Sequence, residues 1–369
     1  MDFQLSEEQQ LLADSVRRLL ENNYDFESRK KIVASEAGHC AKTWATLAEL
    51  GLLGLPVSED NGGFGGGSTD LIPVMEAMGE TLSVEPFLPT IGMARLIERA
   101  GSATQREAVL GGVIEGNVKL ALACYEPTSH FDLSNVSTTA TRSGDDWVLS
   151  GEKIAAIGAP QADHIVVTAR TAGGVSLFLV PANAAGLSQK TFRTQDSLRS
   201  ADITLNNVKV GSDALIGAEN SGLAALEEAL DFTSALICAE AVGAMKFACD
   251  TTLEYLKTRK QFGVPIGTFQ ALQHRIVDMY IATEQARSIT YLACAKADGA
   301  ADAKERRQVI SAARIKVADS TRLVGQDAIQ MHGGMGMTYE MKVSHTYKRL
   351  TMIGQAFGDA DYYLERFMR

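Results

Sequence analysis

A change of hydrophobic period, from helical to strand-like and back again, divides this chain into three blocks and limits the folds open to it. In the first block, residues 1–117, Leu11, Leu12, Val16, Leu19 and Leu20 recur at helical spacing. Ser6 and Gln9 ahead of them read as a capping-box start. In the second block, 118–220, short β-rich runs appear instead: Trp147-Val148-Leu149, Ile165-Val166-Val167 and Ser176 to Val180. Gly144-Asp145-Asp146 and Ala172-Gly173-Gly174 read as hairpin turns, so this block predicts a small antiparallel barrel or sandwich. The third block, 221–369, predicts long helices near 222–260, from Phe269 to Asp298 and from Ala303 to Met331, then a shorter pair after 341. Gly263 and Pro265 end the first of these, and Gly333, Gly334 and Gly336 end the third. Long antiparallel helices imply a bundle. The fold class is mainly α with a central β domain, and 369 residues are too many for one small core.

Several function classes are excluded by composition. The net charge is −10 and no basic stripe is present, which argues against nucleic acid. Acidity alone does not exclude an anionic ligand, because local arginines and helix N-termini can bind one. No window of about 18 uninterrupted apolar residues occurs, so no membrane span is expected. Met1-Asp2-Phe3-Gln4-Leu5 has neither the basic start nor the apolar core of a secretory signal. Cys40, Cys124, Cys238, Cys249 and Cys294 are odd in number, scattered and free of a CxxC pair. They point to a reducing cytoplasm rather than a disulfide framework or a zinc ribbon. Six scattered histidines show no metal-ligand spacing. The Gly62 to Gly67 stretch does not follow a strand inside a βαβ unit, so it reads as a loop and not as a dinucleotide fingerprint.

Two segments carry candidate chemistry. Arg259 to Gln270 offers a planar guanidinium suited to a pyrophosphate, an aromatic face at Phe262 for a purine, and Gln270 as a hydrogen-bonding edge. An ordinary helix end, with a basic last turn followed by Gly and Pro, has the same composition. Gln330-Met331-His332-Gly333-Gly334-Met335-Gly336 places glycines where backbone N–H groups can approach a ligand directly. A tight interhelical turn reads the same way.

Together, in this three-block order, the two segments resemble the acyl-CoA dehydrogenase family over nearly the whole chain. Glu49 to Pro56 and Gly62 to Gly65 are similar to the family's N-terminal helical domain. Tyr125-Glu126-Pro127 stands where the family has its TEP segment, and Gly151-Glu152-Lys153 resembles the GxK that opens the next flavin-contacting strand. The resemblance implies an α-helical domain, a β-barrel and a four-helix bundle. It implies α,β-desaturation of an acyl-CoA, with a carboxylate taking the α proton and FAD taking a hydride. It also implies that Arg259, Gln261, Phe262, Gln270, Gln330, Gly333 and Gly334 hold the adenine and pyrophosphate half of an FAD whose ring lies in a neighbouring subunit.

The departures from that pattern are specific. Counted from Gly333-Gly334, the family's basic glutamate falls on Phe357. The alternative base position, two residues after Asp231, is Thr233, and the arginine usual after it is Ser234. Neither phenylalanine nor a threonine hydroxyl is a general base at neutral pH. The small Gly-Ser pair after the TEP segment is His130-Phe131 here. The ring-stacking aromatic and the hydroxyl of the next strand are Ala155 and Ile157. Among rival acids, Glu340 reads as a helix-start cap or pair, Glu240 as a buried ion-pair partner, and Asp359 as a substitute base if a loop re-aims it.

The adenine-side half of the site is therefore expected intact, and the ring half and both base positions lost. This asymmetry resembles the base-less small subunit of bacterial heteromeric acyl-CoA dehydrogenases. The resemblance implies a catalytic homologue as partner in an α2β2 assembly, an FAD shared across the interface, and an electron-transferring flavoprotein as acceptor. The implied substrates are bulky acyl-CoA thioesters such as steroid side chains, or dicarboxylic acyl-CoAs. Two alternatives stay open: a self-sufficient homo-oligomer using Asp359, and a scaffold without FAD.

Overall fold

A computed structural model describes residues 7–299 and 302–369. Six helices come first: α1 (Glu7–Asn23), α2 (Phe26–Ala34), α3 (Ala41–Glu49), α4 (Ser68–Thr81), α5 (Phe87–Ala100) and α6 (Ala103–Ile114). Eight strands follow: β1 (Leu120–Ala123), β2 (Thr139–Ser143), β3 (Asp146–Ile157), β4 (His164–Arg170), β5 (Val175–Pro181), β6 (Leu187–Arg193), β7 (Arg199–Val210) and β8 (Leu215–Ile216). The last part holds α7 (Gly222–Thr258), a two-strand hairpin of β9 (Lys260–Gln261) and β10 (Val264–Pro265), then α8 (Gln270–Gly299), α9 (Ala303–His332), α10 (Lys342–Ile353) and α11 (Ala360–Met368). The predicted helices and both predicted hairpin turns stand where the periodicity placed them. Ser6 and the Met1 to Leu5 run lie outside the described residues. Gln9, the other half of the predicted capping box, donates to Asp70 Oδ1 at 2.7 Å.

The chain packs as two compact units. One comprises the chain up to Lys31, Gly67–Ser83 and Ser234–Arg369; the other comprises Ile32–Gly66 and Val84–Thr233.

In the second unit the strands run in the order β6-β7-β3-β2-β4-β5-β8, with β1 added on β4. The expectation of a purely antiparallel sheet is corrected at two points: β1 pairs β4 in parallel, and β2 meets β4 in parallel through Thr139 and Arg170. A parallel neighbour needs a long connection rather than a turn, and that signal is invisible to a reading based on hairpins. Alternating residues of each strand point to one side, where Trp147, Leu149, Ile165, Val167, Phe178, Ile203 and Leu205 form the core. Trp147 and Phe178 meet edge to face, 5.2 Å between centroids.

In the first unit, α7 and α4 touch through two glycines. A Cβ on Gly79 would stand 2.0 Å from the Glu240 carbonyl, and one on Gly243 would stand 1.9 Å from the Glu76 carbonyl. No other residue allows this backbone approach. Helix α7 is also long and apolar enough to cross a membrane, but 89% of its most apolar window is buried inside the protein. Its hydrophobicity therefore serves the core.

Candidate cofactor half-site

The segment after α7 does more than end a helix. Gln261 pairs with Val264 and Lys260 with Pro265, closing a hairpin whose two central residues are Phe262 (φ 53°) and Gly263 (φ 83°). Two consecutive positive φ values make the tight turn that favours Asn-Gly. Glycine meets that demand at the second position, but a bulky residue at the first is strained. Phe262 is also 92% exposed, touching Phe269 edge to face at 6.1 Å. A strained, exposed aromatic ring at a hairpin tip makes Phe262 a candidate contact residue. Arg259 is exposed just before the hairpin, and among the described residues no group hydrogen-bonds or ion-pairs with its guanidinium. Its main-chain carbonyl accepts from Ile266 N at 2.9 Å, which fixes the hairpin against the helix end. Gln261 and Gln270, the first residue of α8, are exposed on the same stretch.

At the end of α9, Gly333 adopts φ 58°, ψ −143°, a conformation essentially confined to glycine. Gly333 and Gly334 face open space where a Cβ would stand, whereas a Cβ on Gly336 would stand 2.8 Å from the Ile329 carbonyl. The first two thus leave open space over their α carbons, with Gly333 N–H donating to the Gln330 carbonyl, and the third serves packing. Gln330 is exposed beside them.

Two contacts bring these segments to one end of the helical unit. Tyr255, one turn before Arg259, stacks on His332, the residue before Gly333; the centroids lie 4.5 Å apart and the planes 26° apart. Arg275 near the start of α8 pairs with Asp327 near the end of α9 at 2.9 Å. His332 is buried, and its Nδ1 lies 2.8 Å from the Ala328 carbonyl. Burial lowers its pKa below the ordinary histidine value, with the bond to Ala328 opposing. The ring is therefore neutral, with its proton on the nitrogen facing Ala328.

The residues at the expected base positions hold no free base. Thr233 is buried and its hydroxyl donates to the Ala229 carbonyl at 2.7 Å, one turn back on its own helix. Ser234 Oγ lies 3.0 Å from Tyr363 Oη. Phe357 sits at φ 59° in a loop gripped by Arg314, which is 1% exposed. One Arg314 nitrogen donates to the carbonyls of Ile353, Ala356 and Gly358 at 2.8, 2.6 and 3.3 Å. Asp359 is the N-cap of α11, with Oδ1 accepting from Tyr362 N at 2.8 Å. Glu240 is the buried ion-pair partner expected of it: Arg349 grips both its oxygens, at 2.6 and 2.7 Å. Glu340 does not cap α10, since the N-cap position is Met341; it is exposed one residue outside.

Three family models cover the chain: acyl-CoA dehydrogenase N-terminal domain over 6–117, middle domain over 121–208 and C-terminal domain over 220–368. The chain belongs to the acyl-CoA dehydrogenase family. Acyl-CoA dehydrogenase FadE12 of Mycobacterium tuberculosis is 32% identical over 356 residues, 92% of this chain and 89% of its own. Among solved structures, a variant of the Tcur3481–Tcur3483 steroid ACAD is 31% identical, with a TM-score of 0.89 over 98% of this chain and 97% of that one. PigA with FAD and proline is 28% identical, with a TM-score of 0.91 over 100% and 98%. Membership makes this chain part of an oxidoreductase system acting on CH–CH bonds.

The parts of an acyl-CoA dehydrogenase that face a flavin ring are altered here. Glu126 and Lys153, matched to the TEP and GxK segments, turn inward. Lys153 Nζ donates to Glu126 Oε1 at 2.6 Å and to Thr168 Oγ1 at 2.8 Å. Glu126 also accepts from the amides of Ser137 (2.6 Å) and Thr138 (3.0 Å). Burial pushes this carboxyl up, but the Lys153 ammonium and the two amides outweigh it and hold it at about 2. GxK lies within β3 rather than opening it. A bulge between Lys153 and Ala156 puts Ala155 at φ 52°, exposed, where the family pattern has an aromatic. His130 is exposed at φ 46°, and Phe131 packs on Tyr125 at 6.0 Å. The open glycines, and an Arg259 guanidinium without a partner among the described residues, are of a chemistry that suits the phosphates of an FAD. Ala155 and Ile157 offer a ring neither an aromatic stacking face nor the usual hydroxyl, and His130 and Phe131 put bulk where the family has a small Gly-Ser pair.

The sequence did not reveal the Tyr255–His332 stack or the Arg314 clamp. For the stack one signal was present: Tyr255 lies four residues before Arg259, on the same helix face.

Proposed function

We propose that this chain completes the FAD site of a catalytic acyl-CoA dehydrogenase homologue, in an α2β2 assembly, and supplies no base of its own. The observation that carries this reading is Phe262, strained and 92% exposed beside an arginine whose guanidinium has no partner among the described residues. Arg259 neutralises pyrophosphate charge, Phe262 covers the adenine, and the open glycine turn at Gly333 and Gly334 lets the phosphates approach the backbone closely. Gln261, Gln270 and Gln330 satisfy the ligand's polar edges. When bound, FAD supplies the hydride acceptor; the partner supplies the base. The substrates best suited to such an assembly are acyl-CoA thioesters of steroid side chains or dicarboxylic acids, with an electron-transferring flavoprotein as acceptor. The steroid ACAD relative at 31% identity supports the first class.

The test is flavin per chain, measured by absorbance, with this chain made alone and with its homologue. The expected result is one flavin per pair and little on the chain alone. Arg259→Ala should weaken retention by about 10–100-fold, the worth of a charge-assisted hydrogen bond. A yellow, active protein from this chain alone overturns the reading in favour of the Asp359 alternative. Flavin bound by the pair regardless of Arg259 favours a scaffold.

A further inference from the structure

The two segments assigned to the cofactor are far apart in sequence, and neither can fix the other's position alone. The hairpin that carries Arg259 and Phe262 stands on the last turn of α7. The open glycines follow directly on the last turn of α9. The stack of Tyr255 on His332 joins these two turns face to face, at 4.5 Å and 26°. Its placement is specific. Tyr255 O accepts from Arg259 N at 2.8 Å, so the tyrosine's own backbone seats the arginine. His332 is the N-cap of the 3-10 turn that begins at Gly333.

The His332 ring is also held where its polar atoms gain little. Nδ1 bonds Ala328 within its own helix, and Nε2 is buried with no hydrogen-bond partner among the described residues. A buried polar atom left unpaired is costly. What the ring makes in return is the face-to-face contact with Tyr255. We infer that the Tyr255–His332 stack is a positioning pair that sets the hairpin against the glycine turn, so that both arms of the cofactor half-site keep one spacing. This rests on the FAD reading above.

The test uses the flavin-loaded pair of this chain and its homologue, together with this chain alone. His332→Ala and Tyr255→Ala should each speed flavin dissociation by about 10-fold, the upper range for one aromatic pair. The double replacement should be no worse than either single one, because one contact is lost in every case. His332→Phe keeps the ring face while losing both ring nitrogens, the unpaired Nε2 and the Nδ1 bonded to Ala328, so it should dissociate flavin at the wild-type rate if the ring face is what matters. In the chain alone, backbone amides of 260–264 should exchange faster in His332→Ala and unchanged in His332→Phe. Additive effects, or a phenylalanine that fails to rescue both readouts, overturn the inference. Arg259→Ala in parallel separates the two ideas. If it loses flavin while His332→Ala does not, the positioning pair fails and the half-site stands. If Arg259→Ala keeps its flavin, the half-site fails, while amide exchange in the chain alone still reports on the stack.

Discussion

Lys153→Met should lower the stability of the sheet unit by about 3–5 kcal/mol at pH 7, because it leaves a buried carboxylate without its counter-charge. Lys153 is fully buried and Glu126 3% exposed, with 2.6 Å between nitrogen and oxygen. Two amides would remain on Glu126, enough to orient it but not to neutralise it. The acid limb gives an independent check. Glu126 is held at about 2 in the folded protein, against 4.5 ordinarily. The unfolded chain therefore binds the extra proton, and stability rises with pH between these values. The contribution is complete above about 4.5 and lost as pH falls through about 2. Without Lys153 that pKa rises, so the variant should be least impaired in acid, where Glu126 can protonate. Urea unfolding at pH 7 and pH 4 measures both effects. Lys153→Met with Glu126→Gln should recover most of the loss. If the double variant is as unstable as the single one, packing rather than charge carries the effect.

Arg349→Ala should be comparably damaging to the helical unit. Arg349 and Glu240 have side chains 10% and 5% exposed, bound through two parallel contacts. Such a fork fixes geometry as well as charge. Removing one partner strands a carboxylate beside the Gly79–Glu240 backbone contact, where no water can reach it cheaply. The expected cost is again about 3–5 kcal/mol, or about 10 °C in melting temperature for a unit of this size. Arg349→Met with Glu240→Leu should come close to wild-type stability, because the pair's attraction is largely spent on its own desolvation. A double variant as unstable as Arg349→Ala would mean that the pair organises the bundle beyond its charge balance. Neither residue takes part in the proposed cofactor site, so flavin content per folded pair should not change.

Much of the fold was legible because helices and hairpins are written locally. The apolar spacing of 222–260 and the Gly263-Val264-Pro265 stop gave α7 its length within a few residues. Gly144-Asp145 gave the β2–β3 turn. The Gly62 to Gly67 stretch read correctly as a loop, since no strand precedes it. What was missed lies in contacts between distant residues. Glu240 and Arg349 are 109 positions apart, and only the carboxylate drew notice. The parallel approach of β1 to β4 has no turn to announce it. Lys153 has a polar side chain in a strand, which reads as surface until the interior of the sheet unit is seen to hold Glu126 and Thr168.

The candidate site divides in the same way. Residue types alone nominated Arg259, Phe262, Gly333 and Gly334, because a guanidinium, an aromatic face and bare backbone are chemical properties of single residues. They also showed that Phe357 and Thr233 cannot take a proton. Tertiary structure decided the rest. It put Phe262 at the tip of a strained hairpin, left Gly333 and Gly334 open while packing Gly336, and joined the two segments through Tyr255 and His332. The physical reason is range. Periodicity and side-chain chemistry act over one or two turns, whereas exposure, ion pairing and ring stacking depend on which distant helix end arrives, and only the folded chain fixes that.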